Sequence, residues 1–148
     1  MTERKQTLNV AMIGHGIIGR VHSNAFHQVG HFFDIPYKLH LKVVCGRDRT
    51  KLDAMASQWG WEGTETDWRA VISRPDIQIV DIAAPNVLHA PIALAAAQAG
   101  KIVLCEKPLA MSLEEAEAMA KAVDGLPNLV WFNYRRVPAI AFARALIL

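Results

Sequence analysis

Five short stretches of the chain are nearly continuous in apolar side chains: 8–13 (LNVAMI), 39–45, 77–84 (IQIVDIAA), 102–105 and 129–134 (LVWFNY). They are too short for core helices and read as strands covered on both faces. Between them apolar residues recur with a period of about 3.6. Residues 17–29 repeat Ile17, Ile18, Val21, Ala25, Phe26 and Val29 at intervals of three and four, which predicts a helix. Residues 50–59 suit a second helix, and 67–72 a shorter one capped by Thr66 or Asp67. Residues 89–99 form an Ala-rich helix stopped by Gly100. Residues 112–123 open on Ser112 and Glu115, the spacing of a capping box, and close at Gly125 and Pro127. Pro138 opens a last helical stretch, and HFFDIPYK (31–38) is an irregular connection. Strands alternating with helices predict an α/β fold built on a doubly wound parallel sheet.

The chain's 148 residues match one domain with a real core. A net charge of +2 leaves no basic footprint for nucleic acid and no polybasic membrane patch. Every apolar run falls short of the ~18 residues of a membrane span, and Gly14, His15 and Gly16 interrupt the start too early for a signal peptide. Cys45 and Cys105 lack metal spacing, so a reduced, cytoplasmic chain is expected. In the usual doubly wound strand order their strands are not neighbours. Two intervening strands, each about 4.8 Å across, put the thiols out of disulfide reach.

Candidate chemistry begins where the first strand ends. Gly14-His15-Gly16-Ile17-Ile18-Gly19 has the spacing Gly-x-Gly-x-x-Gly between a strand and an amphipathic helix, the context in which that pattern has a mechanism. Gly14 allows the tight turn, Gly16 lets a pyrophosphate approach the backbone, and Gly19 lets the helix pack close. The helix start, with Ile17 and Ile18, offers free N–H donors to an anion. Such a site holds NAD or NADP. The acid usually found after the second strand, where it binds the adenosine ribose, is missing: that place is Gly46, followed by Arg47 and Asp48. Without a carboxylate to repel it, a 2′-phosphate could pair with Arg47, which tilts the expectation toward NADP. Asp48 could still turn back to a ribose, and a solvated charged turn is the plain alternative.

Three segments, GHGIIGRVH (14–22), DIAAPNVLHAPIALAAAQAGKIVLCEKPLA (81–110) and FNYRRVPA (132–139), resemble the N-terminal domain of the glucose–fructose oxidoreductase, inositol dehydrogenase and rhizopine-catabolism (Gfo/Idh/MocA) family. The resemblance covers nearly the whole chain, and CEKPLA after a strand is its most specific piece. It implies an NAD(P)-dependent dehydrogenase acting on a secondary alcohol of a sugar or cyclitol. Lys107 would be the catalytic lysine and would also touch the cofactor. Glu106 would sit near the nicotinamide ribose, and Ala84, Pro85, Asn86 and His89 would line the cofactor. Ligands of open α/β sheets bind outside the carboxyl ends of strands, and an ammonium partly desolvated there can transfer protons. A surface ion pair closing a strand is the plain alternative for Glu106 and Lys107, as a helix cap is for His89. A non-catalytic NAD(P)-binding sensor is the alternative function; such a module has no need of Lys107.

Among the histidines, only His27 and His31 share a helix face, and no acid or cysteine joins them, so no metal site is assigned. Arg135 and Arg136, after the last strand, would face either a hydroxyl-rich ligand or solvent. The resemblance divides the chain into a dinucleotide-binding domain, 1–131, and the start of a substrate domain, 132–148. The rest of that C-terminal α/β domain is expected to be missing. On this reading the 148 residues bind a dinucleotide without turning over a sugar. The apolar end, with Phe142, Ala145, Leu146 and Leu148, predicts self-association, and the family relationship a homo-oligomer.

Overall fold

The computed structural model describes residues 5–147, so Leu148 and the first four residues lie outside it. Six parallel strands form one sheet in the order β3-β2-β1-β4-β5-β6. They are β1 (Gln6–Ile13), β2 (Tyr37–Cys45), β3 (Gly63–Glu65), β4 (Ile79–Ile82), β5 (Ile102–Cys105) and β6 (Asn128–Val130). The helices are α1 (Ile17–Phe32), α2 (Arg49–Trp59), α3 (Trp68–Ile72), α4 (His89–Gln98), α5 (Leu113–Ala122) and α6 (Pro138–Ile147). This is the doubly wound order with its switch point between β1 and β4.

Each central strand sends alternate side chains to the two faces. Val10, Met12, Leu41, Val44 and Ile79 pack with Leu52 and Met55 of α2, on the side that α1 also covers through Phe26. Ala11, Ile13, Val43, Val80 and Ile82 pack with α3, α4 and α5. Burial on both faces is why these strands read as apolar runs rather than as alternations.

Three local outcomes differ from the sequence reading. Strand β3 has the sequence GTE and no apolar signature; it forms because the edge of β2 offers it a ladder from Val43 to Cys45. Strand β6 stops at Val130 instead of running to residue 134, because its partner β5 has already turned away after Cys105. Residues 133–136 form a 3₁₀ turn instead. Helix α1 also buries a different stripe from the one that revealed it. Ile17 is 76% exposed and Val21 56%, while Gly19, His22 and Ser23 are buried. A Cβ on Gly19 would lie 2.3 Å from the Gly14 carbonyl oxygen. That close approach presses the stripe 19, 22, 23, 26 onto the sheet and turns the isoleucines outward.

The caps expected at Asp67 and Ser112 form, and Asp48 adds one that the sequence reading did not place. The Asp48 carboxylate accepts from Lys51 N–H at the start of α2, and Asp67 from Arg69 N–H at the start of α3. Ser112 Oγ accepts from Glu115 N–H, while the Glu115 carboxylate accepts from Met111 N–H, one residue earlier than the capping box places it. Cys45 and Cys105 lie on β2 and β5 with β1 and β4 between them, both buried and unpaired. Burial, with nearby carboxylates, pushes both thiols up to about 12.

Helix α6 buries no side chain among its described residues; Phe142 is 66% exposed and Leu146 72%. We expect the mass measured by light scattering to rise with concentration, and a Phe142→Ser, Leu146→Ser variant to stay monomeric. A wild-type mass that stays at one chain at high concentration would contradict this.

Candidate active site

The strand register draws the site. Ile13 pairs with Cys45 on one side and Ile82 on the other; Ile82 pairs with Cys105, Cys105 with Val130, and Cys45 with Glu65. The next residues therefore form one row along the carboxyl edge: Thr66, Gly46, Gly14, Ala83, Glu106 and Trp131. Neighbouring strands are about 4.8 Å apart, so Gly46 is one step from Gly14 and Glu106 about 10 Å away on the other side. Every segment singled out in the sequence opens from this row.

Gly14 has φ +125°, and a Cβ there would lie 2.2 Å from Ala83 O, so only glycine fits. Gly16 caps α1 without a side-chain hydrogen bond, and a Cβ built on it meets nothing within 4 Å. The first-turn N–H groups of α1 thus stand uncapped behind an open backbone, a shape suited to a pyrophosphate. A cavity of about 340 Å³ extends from there, lined by Gly14, His15, Gly16, Arg47, Pro85 and Leu88 among others. The residues present fit a dinucleotide on these grounds.

The missing ribose acid has a steric counterpart. A Cβ at Gly46 would lie 2.3 Å from His15 Nδ1, so the imidazole stands where a side chain at 46 would begin. Arg47 lines the same cavity. Asp48 is committed elsewhere: its carboxylate caps α2 and pairs with Lys51 Nζ at 3.0 Å. The Lys51 hydrogen bonds, backbone first, hold its carboxyl below the usual range.

On the other side of the loop, Ala84 is half-buried, Pro85 and Asn86 are exposed, and Asn86 opens a 3₁₀ turn into α4. His89 does not line the cleft. It is buried, with Nδ1 2.9 Å from Pro108 O and Nε2 3.0 Å from Ala84 O. Its ring ties the turn after β4 to the turn after β5. Lys107 is exposed and precedes a cis peptide bond to Pro108. Glu106 donates its backbone N–H to Ile82 O, and its carboxylate accepts from Lys107 N–H at 2.9 Å.

Sequence reasoning missed a buried polar network beside this turn. His22 Nδ1 lies 2.8 Å from Asp81 Oδ2, and Nε2 lies 3.3 Å from Glu106 Oε1. Trp131 Nε1–H donates to Asp81 Oδ1 at 2.9 Å, and the His22 and Trp131 rings pack tilted at 46° with centroids 4.6 Å apart. Burial alone would lower the proton affinity of His22. The Asp81 hydrogen bond and charge, joined by Glu106, outweigh it and raise the histidine above its ordinary value. The signal was present in the sequence: Asp81 is the one charge inside the apolar run 77–84, and His22 falls one turn after Gly19.

Fold, switch point and glycine loop define a dinucleotide-binding domain of the Rossmann type. Comparison with known proteins narrows this. Residues 8–134 match the model of the oxidoreductase family with an NAD-binding Rossmann fold, Gfo/Idh/MocA, and the chain belongs to that family. It is 46% identical to levoglucosan dehydrogenase from Pseudarthrobacter phenanthrenivorans over 96% of the chain and 37% of that enzyme. Among solved structures, an oxidoreductase domain protein from Kribbella flavida is 49% identical with a TM-score of 0.88, covering 96% of this chain and 39% of that one. Levoglucosan dehydrogenase in complex with NADH, and with NADH and levoglucosan, is 46% identical with a TM-score of 0.89 at the same coverage. The chain thus spans under two-fifths of the length of these relatives. Nothing among them favours the phosphorylated cofactor. No helix among the described residues is long and apolar enough to cross a membrane.

Proposed function

We propose that the chain is the cofactor-binding part of a dehydrogenase that moves a hydride between a secondary alcohol of a sugar, anhydrosugar or cyclitol and NAD(H). One observation carries this reading: the register sets the open glycine loop and the Glu106–Lys107 turn on a single edge, two strands apart. NAD, when bound, supplies the hydride acceptor. Gly16 and the first turn of α1 hold the pyrophosphate. Arg47 and His15 flank the adenosine ribose. Pro85 and Asn86 form the wall between the two ends, and Glu106 stands at the nicotinamide ribose. Lys107 hydrogen-bonds the substrate hydroxyl and, as the neutral amine, takes its proton as the hydride leaves, becoming the ammonium. Lys107 also favours an enzyme over a sensor, since a pure binding module needs no proton-transfer group there.

NAD(H) is the proposed working cofactor, by similarity to the relative that holds NADH. With no carboxylate among the described residues that line this cavity and Arg47 among those that do, discrimination against NADPH should be under about tenfold. The substrate's other wall is proposed to lie in the part of the relatives that these 148 residues do not span. Residues 132–147 lead toward it.

Titrating the chain with NADH and NADPH, read by tryptophan quenching, tests this. Saturable NADH binding is expected, kept in Lys107→Met and with no reduction of NAD+ by levoglucosan. Absence of binding by a folded chain would overturn the functional reading. Turnover by the chain alone would overturn the division of labour, and NADPH binding well over tenfold tighter the choice of NAD.

A further inference from the structure

We infer that His22 is a positioning residue: it ties the Glu106 carboxylate to buried Asp81 and so sets the orientation of the Glu106–Lys107 turn. What that turn does rests on the functional reading above; its geometry does not.

The connections are continuous. Trp131 donates to one Asp81 oxygen, His22 Nδ1 faces the other, His22 Nε2 faces Glu106, and the second Glu106 oxygen accepts the Lys107 backbone N–H. Each carboxylate oxygen has a partner, and the network links α1, β4 and the turns that follow β5 and β6. Asp81 is fully buried and His22 is 7% exposed, so water cannot replace a lost partner. Both ring nitrogens face carboxylate oxygens, Asp81 at hydrogen-bond distance and Glu106 at the 3.3 Å of an ion pair, and only a ring protonated on both presents an N–H to each. A neutral ring would turn a lone pair toward one carboxylate and release or rotate it. Glu106 is the one to move, because its side chain is 14% exposed and it sits on a turn rather than within a strand.

The groups facing His22 are Asp81 from β4, Glu106 beyond β5 and the uncharged Trp131 beyond β6. Cys105 of β5 is close enough to the two carboxylates to feel their charge, but it stays a neutral thiol, pushed up to about 12, mainly by burial. The two carboxylates are the only charges shown to act on the ring, and both favour the imidazolium. Ser23, next on the helix, is occupied with Gly19 O and Trp61 and takes no part.

Two measurements decide the inference. In the ¹⁵N-labelled chain without ligand, both His22 ring nitrogens should be protonated at neutral pH. On raising the pH, the Glu106 carboxyl ¹³C and Trp131 indole resonances should move with the same midpoint as His22. A neutral His22 at neutral pH, or a Glu106 resonance that ignores the histidine's titration, overturns it. In a double-mutant cycle, His22→Gln and Glu106→Gln should each weaken NADH binding about tenfold, and the pair no more than either alone. Additive losses would mean that His22 does not act through Glu106. Should His22→Gln not fold, Glu106→Gln serves in its place: it should lower the His22 midpoint, and an unchanged midpoint counts against the proposal. A wild-type chain that binds no NADH overturns the functional reading, and the resonance measurements still judge the role of His22.

Discussion

Gly16→Asp is expected to weaken NADH binding by at least about a hundredfold while leaving the melting temperature unchanged or slightly raised. The position is open: φ is −75°, and a Cβ meets nothing within 4 Å, so the fold tolerates a side chain. Gly16 is also the N-cap of α1, where Asp is among the preferred residues and glycine only serviceable. The new carboxylate would accept from the same first-turn N–H groups that the pyrophosphate needs, and would repel it. Stability and binding should therefore separate. Gly14→Ala should not separate them. There φ is +125° and the added methyl would stand 2.2 Å from Ala83 O, so the β1 and β4 turns must part. Strain and overpacking together cost about 2–5 kcal/mol, and each kcal/mol lowers the melting temperature by about 2–4 °C at this size. Thermal melts and NADH titrations of both variants check this. Near wild-type affinity in Gly16→Asp would mean that the loop does not cradle the pyrophosphate. A wild-type melt in Gly14→Ala would mean that the two turns do not meet as described.

The same loop shows what could be read from sequence. Its three glycines have three separate backbone reasons, and each reason is local: a positive φ, an open approach, a close helix contact. Local requirements leave letters behind. The caps at Asp67 and Ser112 were legible for the same reason, as was the apolar content of β1, β4 and β5. What escaped depends on partners distant in the chain. β3 owes its existence to a free ladder edge on β2, and the early end of β6 to the turn after β5. The buried face of α1 is chosen by Gly19 pressing on Gly14, which overrides the apolar stripe of Ile17, Ile18 and Val21. That override puts His22 against the sheet, 59 residues before Asp81. A histidine and an aspartate so far apart carry no spacing signal, although an acid inside a strand buried on both faces demands a partner.

Removing that acid gives the second large effect. Asp81→Ala leaves the Trp131 N–H and the buried His22 Nδ1 without their partner, a loss of roughly 3 kcal/mol. The pH dependence identifies the source. His22 is raised above its ordinary 6.5 in the folded chain, despite burial, through Asp81 and then Glu106. Folding therefore favours the protonated ring. The stabilisation is fully present below 6.5 and is lost as pH rises through the folded-state value. Exposed acids act in a different window: Asp76, held low chiefly by Arg74, loses its contribution only as pH falls below the ordinary carboxylate range. Urea unfolding from about pH 5.5 to 9 should show wild-type stability declining above 6.5, with Asp81→Asn, which keeps the shape and removes the charge, much flatter. The difference between the two chains should thus be largest at the acidic end and narrow as the ring loses its proton. Parallel curves would mean that His22 is neutral when folded. The Asp81–His22–Glu106 connection would then be a chain of ordinary hydrogen bonds, without the charge that holds Glu106 at the edge of the cleft.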